Sequence, residues 1–214
     1  MGKIKYLSKI KEFFEKTPAF LARDVELIVK NKKYAHLLLH NLCKKGNIFR
    51  LTKGCYTFYE DPIFSVFCFK PAYLGLQEAL SLHNLWEQET NPIVLTTKKV
   101  RKGIREVLNS NLIVYHLPPK YFFGFELLSY GNFFIPVSDL EKTLIDLVYF
   151  KEIPSKEVIK EIRKKIQVAK LNSYLKRYPL EFRKIVNELV KNTKVFAIKQ
   201  AKKYDARTFS NKSG

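Results

Sequence analysis

Apolar residues recur at helical spacing in three successive segments at the start of the chain. The segments cover residues 4–16, 20–30 and 32–45, and Asn31 separates the second from the third. Apolar positions at i, i+3, i+4 and i+7 are typical of amphipathic helices. Gly46 is suited to end the third helix. The pattern therefore predicts three short helices before residue 46.

The spacing changes to alternation after these helices. In NIFRLTKGCYTF, residues 47–58, two alternating runs flank a turn at residues 52–54, which predicts a two-stranded antiparallel ribbon. Three helices and a ribbon within residues 1–61 predict a winged helix-turn-helix domain. In such a domain the third helix enters the major groove of duplex DNA, and the ribbon contacts the backbone alongside.

The third predicted helix has two different faces. Ala35, Leu38, Leu39 and Leu42 form an apolar stripe and predict the core side. The opposite side carries groups that can donate to base edges and phosphates, and Leu37 can contact a thymine methyl group. The predicted DNA-binding residues of this helix and the ribbon are Lys32, Lys33, His36, Leu37, His40, Asn41, Lys44, Lys45, Arg50 and Lys53. The alternative is a solvated polar face without a partner.

The remainder of the chain, residues 63–214, mixes helical and alternating spacing. The helical spacing lies at 74–87, and the alternation lies at 92–97, at 111–117 and on both sides of a turn at 129–131. Residues 63–150 are therefore predicted to form a small, mostly antiparallel sheet with helices, residues 151–201 basic helices, and residues 202–214 a loose tail. The predicted fold class is α+β.

The stretch SDLEKTLIDLVYF contains a helix-start signal. Ser138 and Glu141 match the S-x-x-E capping box, so a helix is predicted to begin at Ser138. Lys142 and Asp146 are four residues apart and are predicted to pair on the outer side of this helix.

Positive charge is concentrated at the two ends of the chain. The net charge is +19, and it divides into +8 over residues 1–60, −1 over 61–150 and +12 over 151–214. This segregation favours a polyanionic partner that contacts the ends. The C-terminal cations are expected to touch nucleic acid, and the alternative is a solvated face that maintains solubility.

The cysteines and the N-terminus predict an intracellular protein. Cys43, Cys55 and Cys68 are odd in number and too widely spaced for a CxxC knuckle, so no disulfide framework is predicted. Neither a signal peptide nor an apolar run that could span a membrane is visible. The predicted location is the cytoplasm, with no membrane partner.

No motif for catalysis or cofactor binding stands out. The sequence lacks the GxGxxG, GxxxxGK[ST], GxSxG and HExxH patterns, so neither an enzyme nor a cofactor is predicted. His36, His40 and Cys43 share one side of the third helix, but a single helix does not supply the usual fourth ligand, and a metal would occupy the DNA-facing side. No metal site is predicted.

Three motifs in order carry a family resemblance. They are R-L-x-x-G-x-Y (Arg50, Leu51, Gly54, Tyr56), G-x-x-E-A-L (Gly75, Glu78, Ala79, Leu80) and E-K-T-L-x-D (Glu141, Lys142, Thr143, Leu144, Asp146). Together with the winged-helix pattern they resemble the AbiEi family of antitoxins and transcriptional regulators from abortive-infection toxin-antitoxin systems. The resemblance implies a repressor of its own operon that also counters a cognate nucleotidyltransferase toxin.

These observations lead to a ranked set of expected functions. The first is an antitoxin-repressor that binds duplex DNA of its own promoter at an inverted repeat. Its expected contacts to the toxin, or to the RNA on which the toxin acts, are Lys142, Asp146, Arg163, Lys164 and Lys165. The second is a stand-alone winged-helix regulator whose second domain senses a ligand or a protein. The third is a nucleic-acid-modifying enzyme with an unrecognised site.

Overall fold

A computed structural model describes the chain over residues 2–191, with side chains from residue 6 onward. The α-helices are α1 (Gly2–Phe14), α2 (Ala22–Val29), α3 (Lys32–Lys44), α4 (Leu76–Leu82), α5 (Leu140–Phe150), α6 (Lys156–Lys165), α7 (Val168–Leu175) and α8 (Leu180–Lys191). The strands are β1 (Phe20–Leu21), β2 (Phe49–Thr52), β3 (Cys55–Thr57), β4 (Ala72–Leu74), β5 (Ile93–Thr96), β6 (Gly103–Val107), β7 (Ser110–His116), β8 (Phe125–Tyr130) and β9 (Phe133–Ser138). Two 3-10 helices cover Pro62–Phe69 and Pro119–Tyr121. The predicted α+β class is confirmed.

The N-terminal helices and the two-stranded ribbon form as the spacing predicts. The sequence pattern missed β1, which is two residues long and pairs antiparallel with β3, so that a three-stranded sheet has the order β1-β3-β2. A single core joins these elements and includes Ile10 of α1, Val25 of α2, Leu39 of α3 and Ile48 before β2, each at most 1% exposed. The helices and the ribbon therefore share one packed interior.

The second sheet differs from the predicted one in size and direction. It has six strands in the order β6-β7-β5-β4-β9-β8. β5 pairs parallel with β7, and β4 pairs parallel with β9, whereas β6 and β7 are antiparallel neighbours. The prediction of a small, mostly antiparallel sheet is therefore corrected to a mixed sheet. Alternating residues predict strands, but they do not fix which strands become neighbours.

The chain divides into two compact units that interleave along the sequence. Unit 1 consists of Met1–Tyr73, Asn91–Leu117 and Leu127–Pro136. Unit 2 consists of Leu74–Thr90, Pro118–Glu126 and the chain from Val137. The predicted boundary between residues 61 and 63 stays a prediction, because this division follows contacts and not the order of the chain.

The start of α5 differs from the predicted capping box. Asp139 is the N-cap, and its Oδ1 accepts from the backbone N–H of Lys142 at 2.8 Å. Ser138 remains in β9, where its Oγ lies 2.7 Å from Thr143 Oγ1. The Glu141 carboxylate accepts from the backbone N–H of Gln167 at 2.7 Å. The S-x-x-E pattern thus marked the right helix, but Ser138 bonds the nearby Thr143 and Glu141 bonds the distant Gln167.

The structure contains one disulfide, whereas the cysteine spacing predicted no disulfide framework. Cys55 of β3 and Cys68 of the first 3-10 helix form a disulfide, and Cys43 is a free, half-buried thiol. Thirteen positions separate the two bonded residues, and the bond joins β3 to the 3-10 helix that follows it in the chain. Cysteine spacing alone could not reveal this pairing.

The predicted basic helices after residue 151 are present as α6, α7 and α8. All three pack against α5, and Ile159, Leu171 and Phe182 are among their buried residues. The predicted tail at 202–214 lies outside the described residues. Within the described part of the chain, no helix combines the length and apolar character needed to cross a membrane.

Candidate nucleic-acid interface

Helix α3 has well-defined ends. Asn31 is its N-cap, and the side-chain Oδ1 accepts from the backbone N–H of Tyr34 at 2.9 Å. After the helix, the backbone N–H of Gly46 donates to Cys43 and that of Asn47 donates to Leu42, both at 3.0 Å. Gly46 has a φ of +67°, a conformation that glycine adopts without a Cβ penalty. The predicted end of the helix at Gly46 is confirmed.

The two faces of α3 are separated as the spacing predicts. Ala35, Leu38, Leu39 and Leu42 are all buried. Of the predicted DNA-binding residues on or beside this helix, Lys32, Lys33, His36, Leu37, His40, Lys44 and Lys45 are exposed, and Asn41 is half-buried. The side chain of Leu37 is 54% exposed although it is apolar. An apolar side chain among exposed cationic and hydrogen-bonding groups is suited to a partner that offers both phosphates and methyl groups.

One residue of this face already has an acidic partner. His36 Nε2 lies 3.1 Å from Glu26 Oε1 of α2. The contact holds the imidazole ring of His36 at one edge of the exposed face, and it partly offsets the charge that a protonated His36 would add.

The ribbon presents its cations from a constrained turn. Arg50 and Lys53 are both exposed, and Arg50 Nε donates to the Thr52 carbonyl at 3.3 Å. Gly54 has a φ of +78°, and its carbonyl accepts from the backbone N–H of Ala22 at 2.9 Å. This bond ties the turn to the start of α2. The backbone therefore fixes the position of the ribbon that carries Arg50 and Lys53.

The candidate ligands on α3 do not form a metal site. Among the described residues, no three His, Cys, Asp or Glu side chains are grouped closely enough to hold a metal ion. Burial raises the pKa of the Cys43 thiol, and the nearby Arg50 lowers it only in part. A thiol with a raised pKa is a poor source of the thiolate that zinc prefers.

The second predicted set of contacts is located differently. Lys142 and Asp146 form an ion pair, and both side chains are 0% exposed. They lie inside unit 2 and not on the outer side of α5, so in this structure neither of them offers a surface to a macromolecule. The prediction that the two pair is confirmed, and the predicted outer location is wrong. The reason is that α6, α7 and α8 all pack on α5 and cover the side that carries Lys142 and Asp146.

Aromatic rings enclose this ion pair. Lys142 Nζ lies 3.2 Å from the Tyr178 hydroxyl oxygen and 5.1 Å from the centre of the Phe123 ring. Burial lowers the pKa of Lys142, while Asp146 opposes that shift. Burial also raises the pKa of Tyr149 to about 12. Taking two charges out of water is costly, so this pair depends on close, well-oriented partners.

A second network covers the start of α5. Lys170 of α7 lies 3.1 Å from Asp139 Oδ2 and 3.0 Å from Glu141 Oε2. The Tyr174 hydroxyl donates to Asp139 Oδ2 at 2.8 Å, and burial together with this bond raises the pKa of Tyr174 to about 12. Burial disfavours the charge on Lys170, but its bonds to Glu141 and Asp139 outweigh that effect and raise its pKa. This network fixes α7 against α5.

Gly124 provides a sharp test of how tightly this region is packed. It has a φ of +68°, and an added Cβ would lie 2.9 Å from both Lys142 Cβ and Tyr174 Cε2. Gly131 has a φ of +56° but nothing within 4 Å, so it is a matched control. Gly124→Ala is expected to lower the free energy of unfolding by about 1–3 kcal/mol more than Gly131→Ala, because only the first overpacks the core. Equal losses in urea unfolding would contradict this packing.

The remaining predicted contacts lie on α6. Arg163 Nε donates to the Leu189 carbonyl of α8 at 3.1 Å, which gives Arg163 a structural role where the two helices meet. Lys164 pairs with Glu161 at 2.6 Å, and Lys165 is exposed. Of the set Lys142, Asp146, Arg163, Lys164 and Lys165, only the last two present their side chains to solvent, and their binding to a toxin or RNA stays a prediction.

Sequence spacing missed the residues that complete the buried cluster. Phe123 and Tyr178 lie 19 and 36 positions from Lys142, and no local pattern links them. The one available signal was the E-K-T-L-x-D motif itself, because a lysine in an otherwise apolar helix needs a partner when it is buried.

Comparison with known proteins gives a fold relationship. The chain is similar in structure to the RV2827C protein from Mycobacterium tuberculosis, whose crystal structure is known. The TM-score is 0.56 and the sequence identity is 12%, and the match covers 87% of this chain and 75% of that one. Such a likeness shows the fold and does not assign a function. No protein-family model matches the sequence, and no curated protein matches it either.

Proposed function

We propose that this protein is a DNA-binding antitoxin that represses its own toxin-antitoxin operon. In this proposal α1–α3, β2 and β3 act as a winged helix-turn-helix. The single observation that carries DNA binding is the exposed face of α3, which combines cationic and hydrogen-bonding side chains with an exposed Leu37.

The proposed roles follow from the chemistry of each group. His40 and Asn41 offer donors and acceptors to base edges, and Asn is suited to adenine. Lys44 and Arg50 carry charge that phosphates neutralise without regard to sequence. A single helix and ribbon cover a short site, so we expect two copies of the protein on an inverted repeat.

The antitoxin part of the proposal rests on the three sequence motifs. A neighbouring gene that encodes a nucleotidyltransferase, together with rescue of growth when the two are co-expressed, is the expected result. A protein that binds its promoter but has no such neighbour would instead favour the stand-alone regulator.

DNA recognition is tested with the full chain. The probe is labelled duplex DNA from upstream of its own gene, and the competitor is a scrambled duplex of the same length and composition. We expect preference for the promoter, and we expect His40→Ala with Asn41→Ala to reduce that preference by about 1–3 kcal/mol for each base that the variant no longer bonds. The matched control is Lys9→Ala with Lys11→Ala on the exposed side of α1. Equal affinity of the native protein for both duplexes would refute the proposal.

The ribbon cations have a separate expected effect. Arg50→Ala with Lys53→Ala should weaken binding to promoter and scrambled DNA alike, because point charges meet phosphates. The slope of log affinity against log salt should fall by about 0.9 for each phosphate that the variant no longer neutralises. Fluorescence anisotropy over a salt series measures this. A change in which sequence is preferred would mean that the ribbon reads bases.

A further inference from the structure

A concentrated run of positive charge follows β5 and continues into β6. Residues 98–105 read KKVRKGIR. The cations of this run are Lys98, Lys99, Arg101, Lys102 and Arg105; the first four are exposed and Arg105 is half-buried. Among the described residues, none of them pairs with a carboxylate. Cations this close repel one another in the free protein, and a polyanion removes that repulsion.

The fold holds this run in place. The backbone N–H of Lys98 donates to Thr96 Oγ1 at 3.0 Å, and that hydroxyl in turn donates to the Phe69 carbonyl at 2.7 Å. Arg105 Nη2 donates to the Arg101 carbonyl at 2.6 Å, and its guanidinium lies 5.2 Å from the centre of the Phe69 ring. Because the backbone is fixed, a ligand has less disorder to remove on binding.

The run lies beside the ribbon within unit 1. β6 is an outer strand of the six-stranded sheet, β2 is an outer strand of the three-stranded sheet, and the two strands contact each other. β2 carries Arg50 and β6 carries Arg105, and Lys98 to Lys102 lie on the segment that leads into β6. The ribbon and this segment belong to one compact unit.

We propose that Lys98, Lys99, Arg101 and Lys102 form a second phosphate-binding surface that contacts the backbone of duplex DNA next to the site read by α3. The inference rests on the proposed DNA binding and extends it to a segment outside the helices and ribbon. Duplex DNA is favoured over RNA because β6 contacts the strand that carries Arg50. Lysines on a loop supply positive charge that does not distinguish between bases. This surface therefore adds affinity for DNA but no sequence specificity.

The test uses the full chain and its promoter duplex with flanking sequence. The variant is Lys98→Gln, Lys99→Gln, Arg101→Gln, and the matched control is Lys9→Gln, Lys11→Gln, Lys16→Gln, which removes the same charge from exposed positions on and after α1. We expect the salt slope of the first variant to fall by about 0.9 to 2.7, at about 0.9 per phosphate, with unchanged preference between promoter and scrambled DNA. Lys98→Arg with Lys99→Arg should retain the native slope.

Hydroxyl-radical footprinting provides a second measurement. The Lys98→Gln, Lys99→Gln, Arg101→Gln variant should no longer protect certain backbone positions of the DNA. The Arg50→Ala, Lys53→Ala variant should still protect those positions. An equal fall in slope for the α1 control would mean that net charge alone acts, and it would overturn the inference. The inference would also be overturned if the Lys98→Gln, Lys99→Gln, Arg101→Gln variant lost more affinity for an RNA hairpin of equal length than for the promoter duplex. If the native protein prefers its promoter and the Lys98 variant keeps the native slope, only this inference fails; if the native protein shows no preference, the proposed function itself fails.

Discussion

Replacing Lys142 with Met is expected to lower the free energy of unfolding by about 3–5 kcal/mol, because the change leaves the buried Asp146 carboxylate without its cation. Met preserves most of the length of the lysine side chain, so the loss reports the charge more than a cavity. Trp86, the only tryptophan of the chain, belongs to unit 2, and its fluorescence during urea unfolding follows this unit.

The control for this prediction is the apolar double variant. Lys142→Met with Asp146→Leu removes both charges and keeps a similar volume, so it should recover most of the stability. A single variant that loses less than about 1 kcal/mol would show that the pair is not buried as described. A double variant as unstable as the single one would assign the cost to packing against Tyr178 and not to the unpaired charge.

Removing the disulfide is expected to cost about 3 kcal/mol. The Cys55–Cys68 bond closes a loop with a sequence separation of 13. A bond that closes a loop of about 15 residues restricts the unfolded chain and stabilises the fold by about 3 kcal/mol. The free energy of unfolding is measured for the double variant Cys55→Ala, Cys68→Ala. The control is Cys43→Ala, which removes the free, half-buried thiol. Hydrogen exchange of the buried α3 residues reports on unit 1, and it should speed up in the first variant only.

Counting thiols tests the same bond chemically. The denatured native protein should show one reactive thiol without reductant and three after reduction. Three thiols before reduction would contradict the bond. Native protein treated with reductant should reach the stability of the Cys55→Ala, Cys68→Ala variant, because both then have the same unconstrained unfolded chain.

The sequence predicted well where local spacing and burial agree. Leu38, Leu39 and Leu42 recur with helical spacing, and Gly46 can adopt a positive φ at little cost, so the extent of α3 and its buried face followed from local rules. The exposed positions of His40 and Lys44 followed from the same geometry, because whatever is not on the apolar stripe of a helix faces outward.

Averaging charge along the sequence hid the cationic run at residues 98–105. Segment 61–150 has a net charge of −1, but several of its carboxylates lie elsewhere. Glu78 is buried, where it accepts from Thr90, and Asp139 caps α5. Charges act over distances in space. Only the fold could show that, among the described residues, no carboxylate pairs with this run and that β6 contacts β2.

By itself the sequence determined the α+β class, the N-terminal helices and ribbon, and the face of α3 on which the proposed DNA contacts lie. These features depend on periodicity, which is a property of neighbouring residues. Only the tertiary structure decided the parallel strand pairs, the Cys55–Cys68 bond, the bonds of Asp139 to Lys170 and Tyr174, and the burial of Lys142. Each of these depends on residues that are distant in the chain. For Lys142, the helices that pack on α5 turned a predicted surface pair into a core pair because they cover the side of α5 that carries it.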